Sequence, residues 1–313
     1  MESYQKFIKS LTNKFRKLTC WHQSLLFLAI FLLLVLLNKK FTPQKEGFIQ
    51  QEKYIEKKGI KIFDEFYVAL YDSLYKSTAK DNYEIGVITE NTDLGERSKL
   101  LDIGSGTGTI VGYFSGKGYD AQGIDVSSAM VERSKEKFPD AKFSVKDALV
   151  SMSFPANNFT HITCLFFTIY YIENKLSFFT NCMNWLKPGG YLVLHLVDRE
   201  KFDPIIPAAD PLYMVSPQKY AEERITNSYV KFEDCEYKSN FTLKSDKNLG
   251  IFSEKIKSDT NGHVRQNIHK LYMPTQKSIL NQAKDVGFIM HSKHEMKKCY
   301  YENQFLYVLT KPN

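Results

Sequence analysis

Cysteine is scarce and poorly placed to build structure. Five occur among 313 residues (Cys20, Cys164, Cys182, Cys235, Cys299), an odd number, widely spaced and never as a Cys-x-x-Cys pair. This excludes a disulfide framework and a zinc ribbon, suits free thiols in a reducing compartment, and leaves no metal site to expect. Repeats at solenoid periods and low-complexity tracts are absent. No Gly-Lys-Ser/Thr follows a glycine loop, so a P-loop is excluded. A basic surplus is missing from most of the chain: the net charge of +7 lies entirely within residues 1–58, and the remainder is formally neutral. A nucleic-acid enzyme needs a basic face to neutralise phosphates, so the balance argues against a polynucleotide partner.

One long hydrophobic run is present. Leu25–Leu37 reads LLFLAIFLLLVLL without a polar residue. Taken from Trp21, the span of 21–37 is roughly 25 Å long as a helix, short but sufficient for a hydrocarbon core of about 30 Å. Trp21 then stands at the interface, with Arg16, Lys17, Lys39 and Lys40 outside. A cleaved signal peptide is the rival, but Asn38-Lys39-Lys40-Phe41 offers no small-x-small cleavage site. The expectation is a basic segment 1–20, a single transmembrane helix 21–37 and a polar linker 38–59. Lysines flank the run on both sides, so charge sets no orientation. Free cysteines favour a cytosolic position for the rest.

From residue 60 helices and strands alternate, which indicates an α/β fold with a parallel sheet. The pattern predicts a helix over 62–78, strands at Lys99–Ile103 and Tyr119–Ile124, and a helix at Ser127–Lys137. Strands follow at Lys142–Lys146 and His161–Phe166, then a helix Leu176–Leu186 closed by Lys187-Pro188-Gly189-Gly190, and a strand Tyr191–Val197. The rhythm then changes. Tyr229–Leu243, Ile251–Ser258 and Val264–Tyr272 read as three antiparallel strands, with Asp/Asn/Gly turns between them. A helix Thr275–Val286 and strands near Ile289–Met296 and Gln304–Leu309 complete a regular sheet.

The residues that carry chemistry begin at Leu100–Gly108, LLDIGSGTG. A buried strand runs into a tight glycine turn, where the backbone must adopt unusual dihedrals and let a ligand approach. The dinucleotide fingerprint is Gly-x-Gly-x-x-Gly; here the spacing is Gly-x-Gly-x-Gly, with Asp102 two places before the first glycine. Asp125 ends the second strand, where a carboxylate can accept two hydrogen bonds from a ribose diol. The other role for Asp125, a helix cap, fits Ser127 or Ser128 better. Asp147-Ala148 follows the third strand, where a carboxylate could bond an adenine amino group; taken alone, Asp147 reads as a loop or cap residue.

Together these residues resemble the class I S-adenosylmethionine-dependent methyltransferase family, over about 60–310. Thr160 departs from the Asp with which many relatives begin the fourth strand. The resemblance implies a Rossmann-like, doubly wound seven-stranded sheet over 60–313, with the three-stranded insert at about 229–273 as a lid, and S-adenosylmethionine as cofactor. It implies that Asp102, Gly104, Ser105, Gly106 and Gly108 hold the methionine end, Asp125 and Val126 the ribose and adenine, and Asp147 and Ala148 the adenine edge. Leu165 and Phe166 would close the far wall. Tyr67, Tyr71 and Tyr75 share one helix face, and Tyr71 is the candidate for closing over the cofactor, although such a stripe is commonly core packing.

Methyl transfer draws much of its rate from orientation, so the family has no universal catalytic residue. Asn/Asp-Pro-Pro-Tyr and Pro-Cys, the signatures of nucleobase methylation, are absent. Tyr170 and Tyr171, on the rim after the fourth strand, are the catalytic candidates. His195 reads as a core residue, His269 and Tyr272 as lid contacts, and Asp198 and Arg199 as residues at a ligand-binding strand end. The insert points to a small-molecule or lipid acceptor with nitrogen or oxygen as nucleophile, and an anchor favours a membrane-embedded one. A protein substrate, or a tethered module that binds the cofactor without turnover, are the alternatives.

Overall fold

The computed structural model describes residues 52–209 and 217–313, together with 19, 21–25, 28 and 29. The chain divides into two units, Met1–Ile49 and Gln50–Asn313. In the first, residues 21–25 are helical. The expected membrane helix 21–37 lies mostly outside the described residues; among those described, no helix is long and apolar enough to cross a membrane.

The second unit contains two sheets. The larger has seven strands: β2 (Lys99–Ile103), β3 (Asp120–Asp125), β4 (Lys142–Val145), β5 (Phe159–Cys164), β6 (Leu186–Val197), β11 (Ile289–Glu295) and β12 (Gln304–Thr310). Their order is β11-β12-β6-β5-β2-β3-β4, with β12 antiparallel to both neighbours. Helices cover both faces, so β2 and β5 are buried on both sides and read as nearly continuous apolar runs. After β2 the chain winds outward through β3 and β4, then returns to β5 on the other side of β2. The carboxyl ends of β2 and β5 therefore flank a topological switch point, where open α/β sheets bind ligands.

Helix boundaries follow from caps. The predicted helix 62–78 is broken in two. Asp64 caps α1 (Glu65–Tyr75) by accepting from the Tyr67 amide at 3.2 Å, and Ser77 caps α2 (Thr78–Glu90) from the Lys80 amide at 3.3 Å. Helix α2 was not anticipated because Ile85, Val87 and Ile88 are too few to announce an apolar stripe. α3 (Thr109–Gly116) leaves the glycine loop, and Ser127 caps α4 (Ser128–Lys137). The four-residue turn α5 (Thr168–Tyr171) precedes α6 (Lys175–Trp185). Lys187–Gly190 does not close that helix but belongs to β6, where the Gly189 amide donates to Lys311 O at 2.9 Å. α7 (Gln276–Val286) starts at a Thr275 cap.

The smaller sheet corrects the expected three-stranded insert. It has five strands in the order β1-β10-β9-β8-β7. β7 (Asn227–Lys231) and β8 (Cys235–Lys244) form a hairpin where one strand was predicted, and β9 (Leu249–Ser258) and β10 (Val264–Tyr272) continue it. β1 (Tyr54–Lys58), inside the predicted linker, pairs parallel with β10. A run such as YIEKK shows no apolar alternation, because β1 is an edge strand held by its backbone and by the Tyr54 hydroxyl on Gln266 at 2.8 Å. Helix α1 packs its Tyr67 and Leu74 into a cluster with Tyr237 and Ile256 of this sheet.

The β1 pairing has a measurable consequence. A chain starting at Gly59 loses it, whereas one starting at Gln50 keeps it. At about 2–4 °C per kcal/mol for a domain of this size, the shorter chain is expected to melt at least ~4 °C lower by calorimetry; equal Tm values would show that the strand contributes nothing.

Candidate active site

At the switch point the chain leaves β2 through three glycines with left-handed backbones: Gly104 at φ 69°, Gly106 at 53° and Gly108 at 86°. Two bonds fix the loop to β3, from the amides of Gly104 and Ser105 to Ile124 O at 2.8 and 3.0 Å. At Gly104 a side chain is excluded twice over. Its φ is strained for other residues, and a Cβ there would lie 2.4 Å from Thr168 Cγ2. The turn after β5 thus sits directly on the glycine loop.

Asp125 organises the other side. One carboxylate oxygen accepts from the Ser127 amide at 2.9 Å and the other from the Gly106 amide at 3.1 Å. Ser127 takes the cap of α4, as the sequence indicated, so Asp125 is not used as one. Burial pushes the Asp125 acid up, against the pull of those amides. Asp102 lies deeper, with Thr163 Oγ1 donating to it at 2.7 Å; burial raises it to about 7, with Glu84 and Asp125 adding to the rise and Thr163 opposing it. Val126 and Asp147 are exposed beside the loop, and Asp147 accepts from the Leu149 amide at 2.8 Å, whereas Ala148 is buried. Leu165 packs into a core cluster with Ile88 and Val193. Phe166 stands at φ 50°, a strained backbone of about 1–3 kcal/mol of the kind that gathers at functional sites.

Helix α1 crosses above this loop. Asp72 accepts from Thr107 of the glycine loop at 2.7 Å and from Lys137 of α4 at 2.7 Å. Burial works against the Asp72 anion, but the bonds and charge of Lys137 and the Thr107 hydroxyl outweigh it and hold its pKa below the ordinary value. The three tyrosines of α1 then divide. Tyr67 and Tyr75 both donate to Glu254 Oε1, at 2.8 and 2.7 Å. Tyr71 makes no hydrogen bond among the described residues, and its phenol feels Lys80, Asp125, Asp72 and Glu254.

Glu254, on β9, is fully buried. Tyr237 also donates to Oε1 at 2.7 Å, while Oε2 takes Asn267 at 3.0 Å and His269 Nε2 at 2.7 Å. Burial alone would raise this acid; His269, with the bonds from Tyr237 and Tyr75, holds it at about 2. On its far side His269 Nδ1 meets the Tyr171 hydroxyl at 2.7 Å. Phe63, Tyr67, Phe252 and Tyr171 surround the imidazole, with centroids 5.6–6.0 Å away.

Comparison with known proteins fits this geometry. Residues 101–194 match the family model described as a methyltransferase domain. An S-adenosylmethionine-dependent methyltransferase from Clostridium acetobutylicum superposes with a TM-score of 0.59 at 15% identity, over 79% of this chain and 98% of that one. The CcbJ methyltransferase from Streptomyces caelestis gives 0.60 at 12% identity, over 79% and 96%. Residues 101–194 are thus similar to a methyltransferase domain, and the second unit has the fold of such enzymes. Among curated proteins, phosphoethanolamine N-methyltransferase of Plasmodium falciparum is 31% identical over 153 residues, 47% of this chain and 54% of the relative. The chain thus spans about half the length of that relative.

Within this fold the two tyrosines after β5 separate. Tyr170 is no acceptor contact: it is fully buried, and its hydroxyl accepts from the Val197 amide at 2.8 Å. In a four-residue turn, neighbouring side chains point in different directions; one enters the core and the other meets the smaller sheet. His195 is a core residue as expected, donating from Nδ1 to Phe166 O, and burial lowers it to about 4. Arg199 bonds Met273 O, just after β10, at 2.6 Å. Among the described residues no His/Cys/Asp/Glu cluster could hold a metal. Sequence reasoning missed Glu254, Asp72, Lys137 and Thr107, which sit on three elements and the glycine loop and join only through the fold.

The structural role of Tyr170 predicts that Tyr170→Phe leaves the Val197 amide buried without a partner. Denaturant unfolding is expected to show a loss of about 1–3 kcal/mol; unchanged stability would remove the hydroxyl from the core.

Proposed function

We propose that this chain transfers a methyl group from S-adenosylmethionine to the nitrogen or oxygen of a small-molecule or lipid acceptor. The observation that carries the reading is the left-handed glycine loop at the switch point, bonded through Gly106 to a carboxylate at the end of β3. The residues present fit the cofactor. Gly104, Ser105, Gly106 and Gly108, with Asp102, would hold its methionine end; Asp102 Oδ2 makes no hydrogen bond among the described residues and suits an ammonium group. Asp125 and Val126 would hold ribose and adenine, Asp147 and Ala148 the adenine edge, and Leu165 and Phe166 the far wall. Tyr71, alone of its stripe without a hydrogen bond, would close over the site. The cofactor when bound supplies a sulfonium methyl, which an oriented nucleophile displaces in line.

The lid supports an acceptor of modest size. Its inner wall of Phe63, Tyr67, Tyr171, Phe252 and His269 is aromatic, with a buried carboxylate behind it. Such walls favour a cationic or amine group, in keeping with the acceptor named for the Plasmodium relative. We place the domain on the cytosolic side of a membrane, held by the segment 21–37. Supporting this are the run Leu25–Leu37 and the free, buried Cys164, Cys182, Cys235 and Cys299.

Full-length protein given methyl-labelled S-adenosylmethionine and a cell extract is expected to label a small-molecule or lipid fraction. Label confined to protein would redirect the reading to a protein substrate, and binding without transfer would favour a non-catalytic module. Cofactor affinity carries a second test. Only the ionised Asp102 pairs with an ammonium group, and burial holds the acid at about 7, so below that pH binding must expel a proton. Affinity by calorimetry is expected to fall as pH drops below about 7, by up to about tenfold per unit, and Asp102→Asn is expected to bind weakly with no such slope.

A further inference from the structure

The chain of contacts that ends on Tyr171 has the composition of a proton path. Resting on the methyl-transfer reading above, we infer that Tyr171, His269 and Glu254 take a proton from the acceptor, and that the acceptor is an amine arriving as its ammonium ion. The placement comes first. The turn bearing Tyr171 sits on Gly104 through Thr168. Tyr71, whose phenol feels Asp125 on one side, also acts on Tyr171 on the other. Tyr171 therefore lies between the cradle and the lid, and it keeps 38% of its surface open, whereas His269 and Glu254 are buried.

Polarity comes next. Glu254 is saturated with donors, so it accepts at His269 Nε2, which places that proton on Nε2 in the neutral ring. In that neutral form Nδ1 is the acceptor for the Tyr171 hydroxyl 2.7 Å away. The phenol oxygen keeps lone pairs for an incoming proton. Burial, with Tyr71 and Glu254, keeps Tyr171 well above its ordinary pKa, so it passes protons as a hydroxyl and does not rest as tyrosinate. The remaining groups facing His269 are Tyr67 and Tyr75 of α1 and Tyr237 of β8, all spent on Glu254. Arg265, on the same face of β10, is neutralised by Asp64 at 2.9 Å. No net positive charge among these groups repels an ammonium ion, and Glu254 with the aromatic rings attracts one.

The step balances as follows. The ammonium N–H bond breaks, its proton moves to the Tyr171 oxygen, and the Tyr171 proton moves to His269 Nδ1, giving an imidazolium opposite Glu254. The freed lone pair forms the N–CH3 bond as the S–CH3 bond breaks, leaving the electron pair on sulfur. An aliphatic hydroxyl is too weakly acidic for an imidazole to deprotonate in this way, which favours nitrogen.

Two measurements on the full chain test this. In spectra of protein with 15N-labelled histidine, assigned by difference from His269→Gln, neutral His269 is expected as the Nε2–H form. Tyr171→Phe is expected to shift its Nδ1 resonance. A proton on Nδ1 overturns the path whatever the enzyme turns over. With phosphoethanolamine as acceptor probe, His269→Gln is expected to lose about 100-fold or more in kcat at pH 7. The deficit is expected to shrink as pH rises toward 10, where the amine arrives deprotonated, while the Kd for S-adenosylmethionine stays within threefold. A deficit independent of pH, or a retained rate, overturns the inference. Lost cofactor binding by the wild-type chain would instead defeat the methyl-transfer reading and leave the histidine spectrum to judge the path.

Discussion

The buried carboxylate of Glu254 is the interaction on which the two halves of this site depend. Five donors converge on it from three elements: Tyr67 and Tyr75 from α1, Tyr237 from β8, and Asn267 and His269 from β10. A charge with no solvent must be met in this way, since removing a partner from a buried ion costs about 3–5 kcal/mol. The need is mutual. Tyr67 and Tyr237 are themselves fully buried, and without Glu254 their hydroxyls would lose their acceptor. The carboxylate therefore fixes where α1 lies on the smaller sheet.

Helix α1 carries that position to the cofactor cradle. Its first residue is capped by Asp64, which also holds Arg265 of β10 through two bonds of 2.9 Å. Arg265 in turn bonds Asn267 at 2.8 Å, a donor to Glu254. Two turns along α1, Asp72 grips Thr107 and Lys137. Just before the helix, Phe63 O accepts from the hydroxyl of Ser127 at 2.6 Å, the residue that caps α4 and bonds Asp125. One short helix thus touches the lid with one set of side chains and the glycine loop with another. Its middle tyrosine, Tyr71, faces the space between them.

How much of this could be read from the residues depends on the sequence distance over which each constraint acts. The glycine loop, Asp125 and the Ser127 cap were legible because strand, turn and cap lie within about thirty residues and each has its own residue signature. The lid was misjudged because β1 pairs with β10 across two hundred residues by backbone alone. The site's central carboxylate was invisible for a related reason. In SEKIKS, Glu254 stands beside lysine and serine like any solvent-facing strand residue, and its tyrosine partners are as far as 187 positions away. Tyr67 and Tyr75 read as a packing stripe, which they are, but one ending in hydroxyls that serve a charge. Tyr170 and Tyr171 looked equivalent because a single short turn gives them opposite fates.

The same arrangement sets a limit on how the site can open. An acceptor entering beside Tyr171 must pass the aromatic wall, and the most direct opening moves α1 away from the lid. That motion would expose Glu254 or strip it of Tyr67 and Tyr75, with a cost of several kcal/mol that water repays only in part. Moving α1 with the lid is different. It breaks the Asp72 contacts with Thr107 and Lys137, which are only partly buried and exchange more readily for water. Physical economy therefore keeps α1 with the smaller sheet, whose far end is tied down where Phe241, Leu271 and Met273 share a core with the large sheet. In such a motion the pair formed by Tyr171 and His269 is the contact that must re-form on closure, because its two members lie on opposite sides of the moving boundary. Proton removal would then become possible only in the closed state, where water is excluded from the reacting nitrogen.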